Sequence, residues 1–202
     1  SPEMTTPTAT AASPVFLLRG ELRGSIGWAA ALVGVLAVTG VAVGVNSFHV
    51  VESTPGGGVF ALTGSTTEVF LTILGRNLGA GLLLFSGYAT FGTTTVLGLL
   101  FISSWVGSGS AAIAAETGLA EVDPWVLTYL PFEFAGLLGI AVGGLLPISS
   151  MVRRSARDSP SPRAPVTRSA LLLLAAGSLS ILVGAVLETA LIHHHVNQGI
   201  RP

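Results

Sequence analysis

Five apolar stretches dominate this chain, at about residues 26–45, 67–86, 93–115, 126–148 and 169–193, and each reaches the roughly 20 residues an α-helix needs to cross the hydrocarbon core of a bilayer. In hydrocarbon every backbone polar group must be satisfied internally, and separate runs of this length meet that demand as helices. The expected fold class is therefore all-α, a polytopic transmembrane helix bundle of about five spans. Composition points the same way. The chain is 50% hydrophobic and 9% charged with a mean hydropathy of +0.76, whereas a soluble domain carries about 25% charged residues.

A length of 202 residues leaves little for a separate soluble domain. The expected organisation is a disordered tail over residues 1–18, rich in Thr, Ala, Ser and Pro, then one bundle over 19–195 and a short tail over 196–202. Met4 reads as the natural start, with Ser1 to Glu3 as an added remnant. The first apolar run is too long for a signal-peptide core and reads as a retained span. Residues 47–66 hold Glu52, Pro55 and three consecutive glycines, a polar connection that re-enters in part through Val59 to Leu62. The second and third spans are separated only by residues 87–92, whose flanking glycines favour a tight turn between antiparallel helices.

Charge asymmetry sets the orientation. The connection before the fourth span is acidic, with Glu116, Glu121 and Asp123, whereas residues 149–168 carry Arg153, Arg154, Arg157, Arg163 and Arg168. Positive residues gather on the cytoplasmic side. Five spans with a cytoplasmic N-terminus put that loop, and with it seven of the nine basic residues, inside the cell. The loop reads either as a solvated linker or as a site for anionic lipid, the linker being the simpler. The expected location is the cell membrane, multi-pass.

Ionisable groups within spans are expensive, on the order of 3 kcal/mol on insertion scales, and face a protein interior or a wet cavity. Glu133, Glu188 and Arg76, the last next to Asn77, are such groups. At about 1.5 Å rise per residue Glu133 lies roughly 10 Å below the outer end of its span. Arg76, Asn77 and Glu188 also fall in the outer half, so one shared polar cluster is expected. Helical spacing adds Tyr129, four residues before Glu133, and a stripe of Gly184, Glu188, Leu191 and His195. Pro131 is expected to break the turn beside Glu133. Gly75 and Gly79, Gly139 and Gly143, and Gly177 and Gly184 are positions where backbones approach closely, inside the bundle or at an oligomer seam. Trp105, well inside its span, is expected to pack there.

Arg76 paired with Glu133 or Glu188, and Asn77 with a neighbouring helix, would make the cluster a device that fixes helix register. Alternatively, Glu133 and Glu188 divide the roles of acid and base, with Arg76, Asn77, Tyr129 and His195 as binding groups. His193, His194 and His195 are consecutive, so their side chains point about 100° apart and cannot all face one ion; no metal site and no cofactor is expected. With no cysteine there is no thiol catalysis or disulfide, and there is no Gly-x-Ser-x-Gly elbow and no Walker A loop. A net charge of -1 gives no attraction to nucleic acid.

The runs Ile73-Leu74-Gly75-Arg76-Asn77-Leu78, Tyr129-Leu130-Pro131-Phe132-Glu133-Phe134 and Val183-Gly184-Ala185-Val186-Leu187-Glu188-Thr189-Ala190 resemble the stage II sporulation protein M family over about residues 20–195. Asn77, Pro131, Glu133 and Glu188 match that family's second-span, fourth-span and last-span positions, while Phe132 stands where it usually has His. The resemblance implies a multi-span protein that acts as a membrane scaffold or accompanies exporters or peptide-maturation machinery. The expected function is thus an integral membrane scaffold or transporter accessory. Its partners would be the lipid bilayer, a membrane protein or further copies of itself, and a peptide or lipid ligand. The rival is an intramembrane enzyme acting on a peptide or lipid with Glu133 and Glu188 as catalytic carboxyls.

Overall fold

A computed structural model of the chain describes residues 14–51, 65–117, 126–155 and 164–197. These form five α-helices: α1 (Pro14–Val51), α2 (Thr66–Phe85), α3 (Thr93–Thr117), α4 (Val126–Ser155) and α5 (Ala164–Asn197). Each contains a stretch long and apolar enough to cross a membrane, and no strand occurs among the described residues. The fold is an all-α bundle.

The helices overrun their apolar segments. Helix α1 already begins at Pro14, inside the expected tail, and α4 continues to Ser155 while α5 starts at Ala164, so both ends of the expected 149–168 loop are helical. Polar flanks do not stop a helix by themselves, because its backbone hydrogen bonds continue as readily in water as in lipid. The expected re-entrant segment, the tail before Pro14 and the last residues after Asn197 lie outside the described residues. Helix α2 has a defined start: Ser65 Oγ accepts from the Glu68 amide at 3.4 Å, while the Ser65 amide donates to Glu68 Oε2 at 2.7 Å. That reciprocal pair satisfies amides the first helical turn leaves open.

The turn between α2 and α3 is short, one turn of 3-10 helix over Ser86–Tyr88 and then a reversal in which Phe91 and Gly92 take positive φ of 51° and 86°. Gly87 is buried here because a Cβ would collide with Thr95 Oγ1, which instead donates to the Leu84 carbonyl at 2.6 Å. Contacts between remote segments fix which ends lie together. Thr66 Oγ1 and His193 Nδ1 are 3.3 Å apart, joining the start of α2 to the end of α5. At the opposite end Tyr88 Oη and Thr167 Oγ1 share a hydrogen bond of 2.6 Å, and Gly24 lies against the Arg153 guanidinium.

Helix α4 is the centre. Over half of its apolar window is buried, 56% against 22–28% for the other four, and residues 140–146 form an unbroken buried run. Around it Leu84, Leu99, Leu137, Ile140, Leu145 and Ile181 make the core. Helix α5 packs on α4 where a Cβ at Gly136 would lie 2.6 Å from the Gly177 carbonyl oxygen. Helix α1 packs chiefly on α3, through a seam of glycine against backbone: a Cβ at Gly40 would lie 2.6 Å from Ser103 Cβ, and one at Gly44 or Gly107 would strike the carbonyl of Ser104 or Val41. Close backbone approach of this kind is the dominant attraction between helices in lipid.

Among the expected glycine pairs, Gly177 and Gly184 do meet a neighbouring helix, whereas Gly75, Gly79 and Gly139 have no heavy atom within 4 Å of an added Cβ. Spacing alone does not say which face of a helix is covered. Trp105 is 68% exposed, not packed inside, because the α3 face toward α1 is taken by Ser103, Ser104 and Gly107. Gly107→Val should therefore destabilise the bundle by at least the roughly 1–3 kcal/mol typical of overpacking, while Gly109→Val, with open space around it, should leave thermal unfolding in detergent close to wild type.

Candidate functional site

Asn77 on α2, Glu133 and Tyr129 on α4, and Glu188 on α5 come together inside the bundle. The side chains of Asn77 and Glu188 lie against the Glu133 carboxyl, and Tyr129 lies within electrostatic reach of both glutamates. Three helices thus meet at one point. Glu133 is only 8% exposed, and its Oε1 is buried with no hydrogen-bond partner. Glu188 and Tyr129 are half-buried.

Local sequence explains how so large a side chain fits. Gly184 lies directly across from Glu133: a Cβ there would collide with Glu133 Cγ and approach its backbone nitrogen to 3.2 Å. With hydrogen in that place, the glutamate lies flat on α5 and reaches Glu188 one turn further along. Ser180, one turn before Gly184, donates its hydroxyl to the Phe132 carbonyl at 2.7 Å and pins the same part of α4. Helix α4 runs through Pro131 without interruption, so the broken turn expected beside Glu133 is not formed.

Apolar layers close the site along the bundle axis. On the side toward Thr66, Val69 and Ile73 pack with Ala185 and Ile192. On the other, Gly81 sits against Ile140 and Ile181. The polar groups are thereby confined to a single layer.

Arg76 is exposed on α2, beside the equally exposed Gly75 and Gly79, while its neighbour Asn77 turns toward Glu133, consecutive helical residues pointing about 100° apart. His195 belongs to α5, but its side chain lies outside the described ones. Among the described residues no group of three or more His, Asp or Glu side chains is arranged to hold a metal ion. Sequence reasoning placed Gly184 among the packing glycines and on the Glu188 stripe, but did not set it against Glu133. Its place four residues before Glu188 was the available signal that it seats the opposing carboxyl.

No family model, curated protein or solved structure matches the chain. The site is interpreted from its own residues.

Glu188→Ala removes the partner of a buried carboxyl and should cost about 1–3 kcal/mol. Glu188→Gln, which keeps a polar side chain of the same size beside Glu133, should keep most of that stability. Thermal unfolding of the two variants in the same detergent separates them.

Proposed function

We propose that the chain is a multi-pass cell-membrane scaffold or transporter-accessory protein of the stage II sporulation protein M type, with its N-terminus in the cytoplasm. The observation that carries this reading is the commitment of Glu133: it is almost wholly buried, set against Asn77 of α2 and Glu188 of α5, and seated on Gly184. Such a cluster spends its polar groups on holding three helices in one register. The outward faces, with Val35, Val38, Phe101, Trp105, Leu172 and Leu179 exposed, then meet lipid or the helices of a membrane partner. In this role a peptide or lipid ligand is presented by the assembly and not transformed by this chain.

A second reading is favoured by one specific observation, the buried Glu133 Oε1 without a partner beside another carboxyl. Two adjacent carboxyls can divide the roles of acid and base, the requirement for carboxylate-driven modification or hydrolysis of a peptide or lipid. Glu133 and Glu188 would be the catalytic groups, with Asn77 and Tyr129 positioning the ligand.

The Glu133→Gln/Glu188→Gln double variant distinguishes the two, because it keeps polar side chains of the same size in place but has no carboxyl to act as acid or base. Under the scaffold reading it supports the same membrane assembly as the wild type. Loss of peptide or lipid turnover with assembly intact would assign the acid/base role instead.

Orientation has its own test. The chain has no cysteine, so single replacements give labelling without background. In intact cells a membrane-impermeant maleimide is expected to label Glu121→Cys and to reach Asp158→Cys only after lysis; the opposite pattern would invert the topology.

A further inference from the structure

At the start of α5, Thr167, Arg168, Leu171 and Leu172 line an open groove of about 530 Å³. Positions 167 and 168 are one helical turn before 171 and 172, so a hydroxyl and a guanidinium lie at one end and two leucines one turn further along the same face. Arg168 is exposed, as are both leucines. The apolar surface continues along α5 through Ala175, Ala176 and Leu179, all exposed at helical spacing. One end is polar and cationic, and the rest is a hydrocarbon track.

The end of the bundle that carries these polar groups is also its basic end. The Tyr88–Thr167 hydrogen bond places it beside the α2–α3 turn, where the start of α1 with Arg23 and the last turn of α4 with Arg153 also lie. A guanidinium binds phosphate oxygens through two parallel N–H donors, and basic pockets on transmembrane helices at this level take lipid headgroups. A soluble phosphate would use the polar end alone. Only a ligand with both a phosphate and an alkyl chain uses the polar end and the track together.

We propose that the α5 groove binds an anionic phospholipid, its phosphate on Arg168 beside the Thr167 hydroxyl and its acyl chain along Leu171 and Leu172. The inference is independent of whether the glutamate cluster is a scaffold element or a catalytic pair. It turns the basic end of the bundle from a solvated linker into a point of lipid recognition, and it gives the Tyr88–Thr167 bond a task, that of fixing the polar end.

Full-length protein taken from nanodiscs of equal phosphatidylglycerol and phosphatidylcholine content, and examined by native mass spectrometry, tests this directly. The wild type should retain phosphatidylglycerol preferentially. Arg168→Gln should lower that preference about fivefold, the factor equivalent to the roughly 1 kcal/mol per basic residue near an anionic surface. Arg168→Lys should keep most of it, and Arg23→Gln, at the same end but outside the groove, should stay near the wild-type value. Arg168 is exposed, so its variants are expected to unfold at the wild-type temperature, and this is checked alongside. The proposal is overturned if the wild type shows no preference, if Arg168→Gln retains it, or if Arg23→Gln loses as much, which would mean a diffuse basic surface. Displacement of the retained lipid by inorganic phosphate would also overturn it, in favour of a soluble phosphate ligand.

Discussion

A carboxyl group surrounded by apolar side chains must find donors or remain a liability of about 1–3 kcal/mol for each unsatisfied atom. In this bundle that requirement falls on Glu133, whose Oε1 has no partner, and three helices converge on it. Helix α2 turns Asn77 inward, α5 brings Glu188, and Gly184 gives up its side chain so that the glutamate can lie between them. The apolar layers on either side, built from Val69, Ile73 and Ala185 in one direction and Ile140 and Ile181 in the other, leave these groups no alternative partners along the axis. Register is fixed because sliding any of the three helices by a turn would put a carboxyl against leucine or isoleucine.

The two principal seams use different chemistry. Between α4 and α5, close approach at Gly136 and Gly177 is supplemented by a directed bond from Ser180 to the Phe132 carbonyl. Between α1 and α3 the approach at Gly40, Gly44 and Gly107 is just as tight, yet Ser103 Oγ is buried there without a hydrogen-bond partner. The first seam is specified by polar geometry, the second by shape. Dispersion between backbones suffices for cohesion in lipid, but carries less information about which partner is correct.

Much of the fold was legible in the sequence, because a run of about 20 apolar residues has few ways to satisfy its backbone in hydrocarbon. All five helices coincide with such runs, and the glycine-flanked turn at residues 87–92 is where expected. Helix ends were less legible, since Arg153 and its polar neighbours continue α4 as easily as they would form a loop. At the site, spacing and depth were enough to select Asn77, Glu133, Glu188 and Tyr129, which the fold brings together. They could not say that Arg76 faces outward, for adjacent helical positions differ in direction and only the neighbours of α2 decide which one turns in. The same limit applies to the glycines: Gly75 and Gly79 have the spacing of a packing pair and lie open, while Gly40, Gly44 and Gly107 make the tight seam.

Helix α1 takes α3 as its main companion, although α2 lies between them in the chain. Chain order therefore does not decide which helices pair: the glycine notches of α1 are completed by a helix two segments further along the sequence, and the intervening α2 packs instead on α5 and α4.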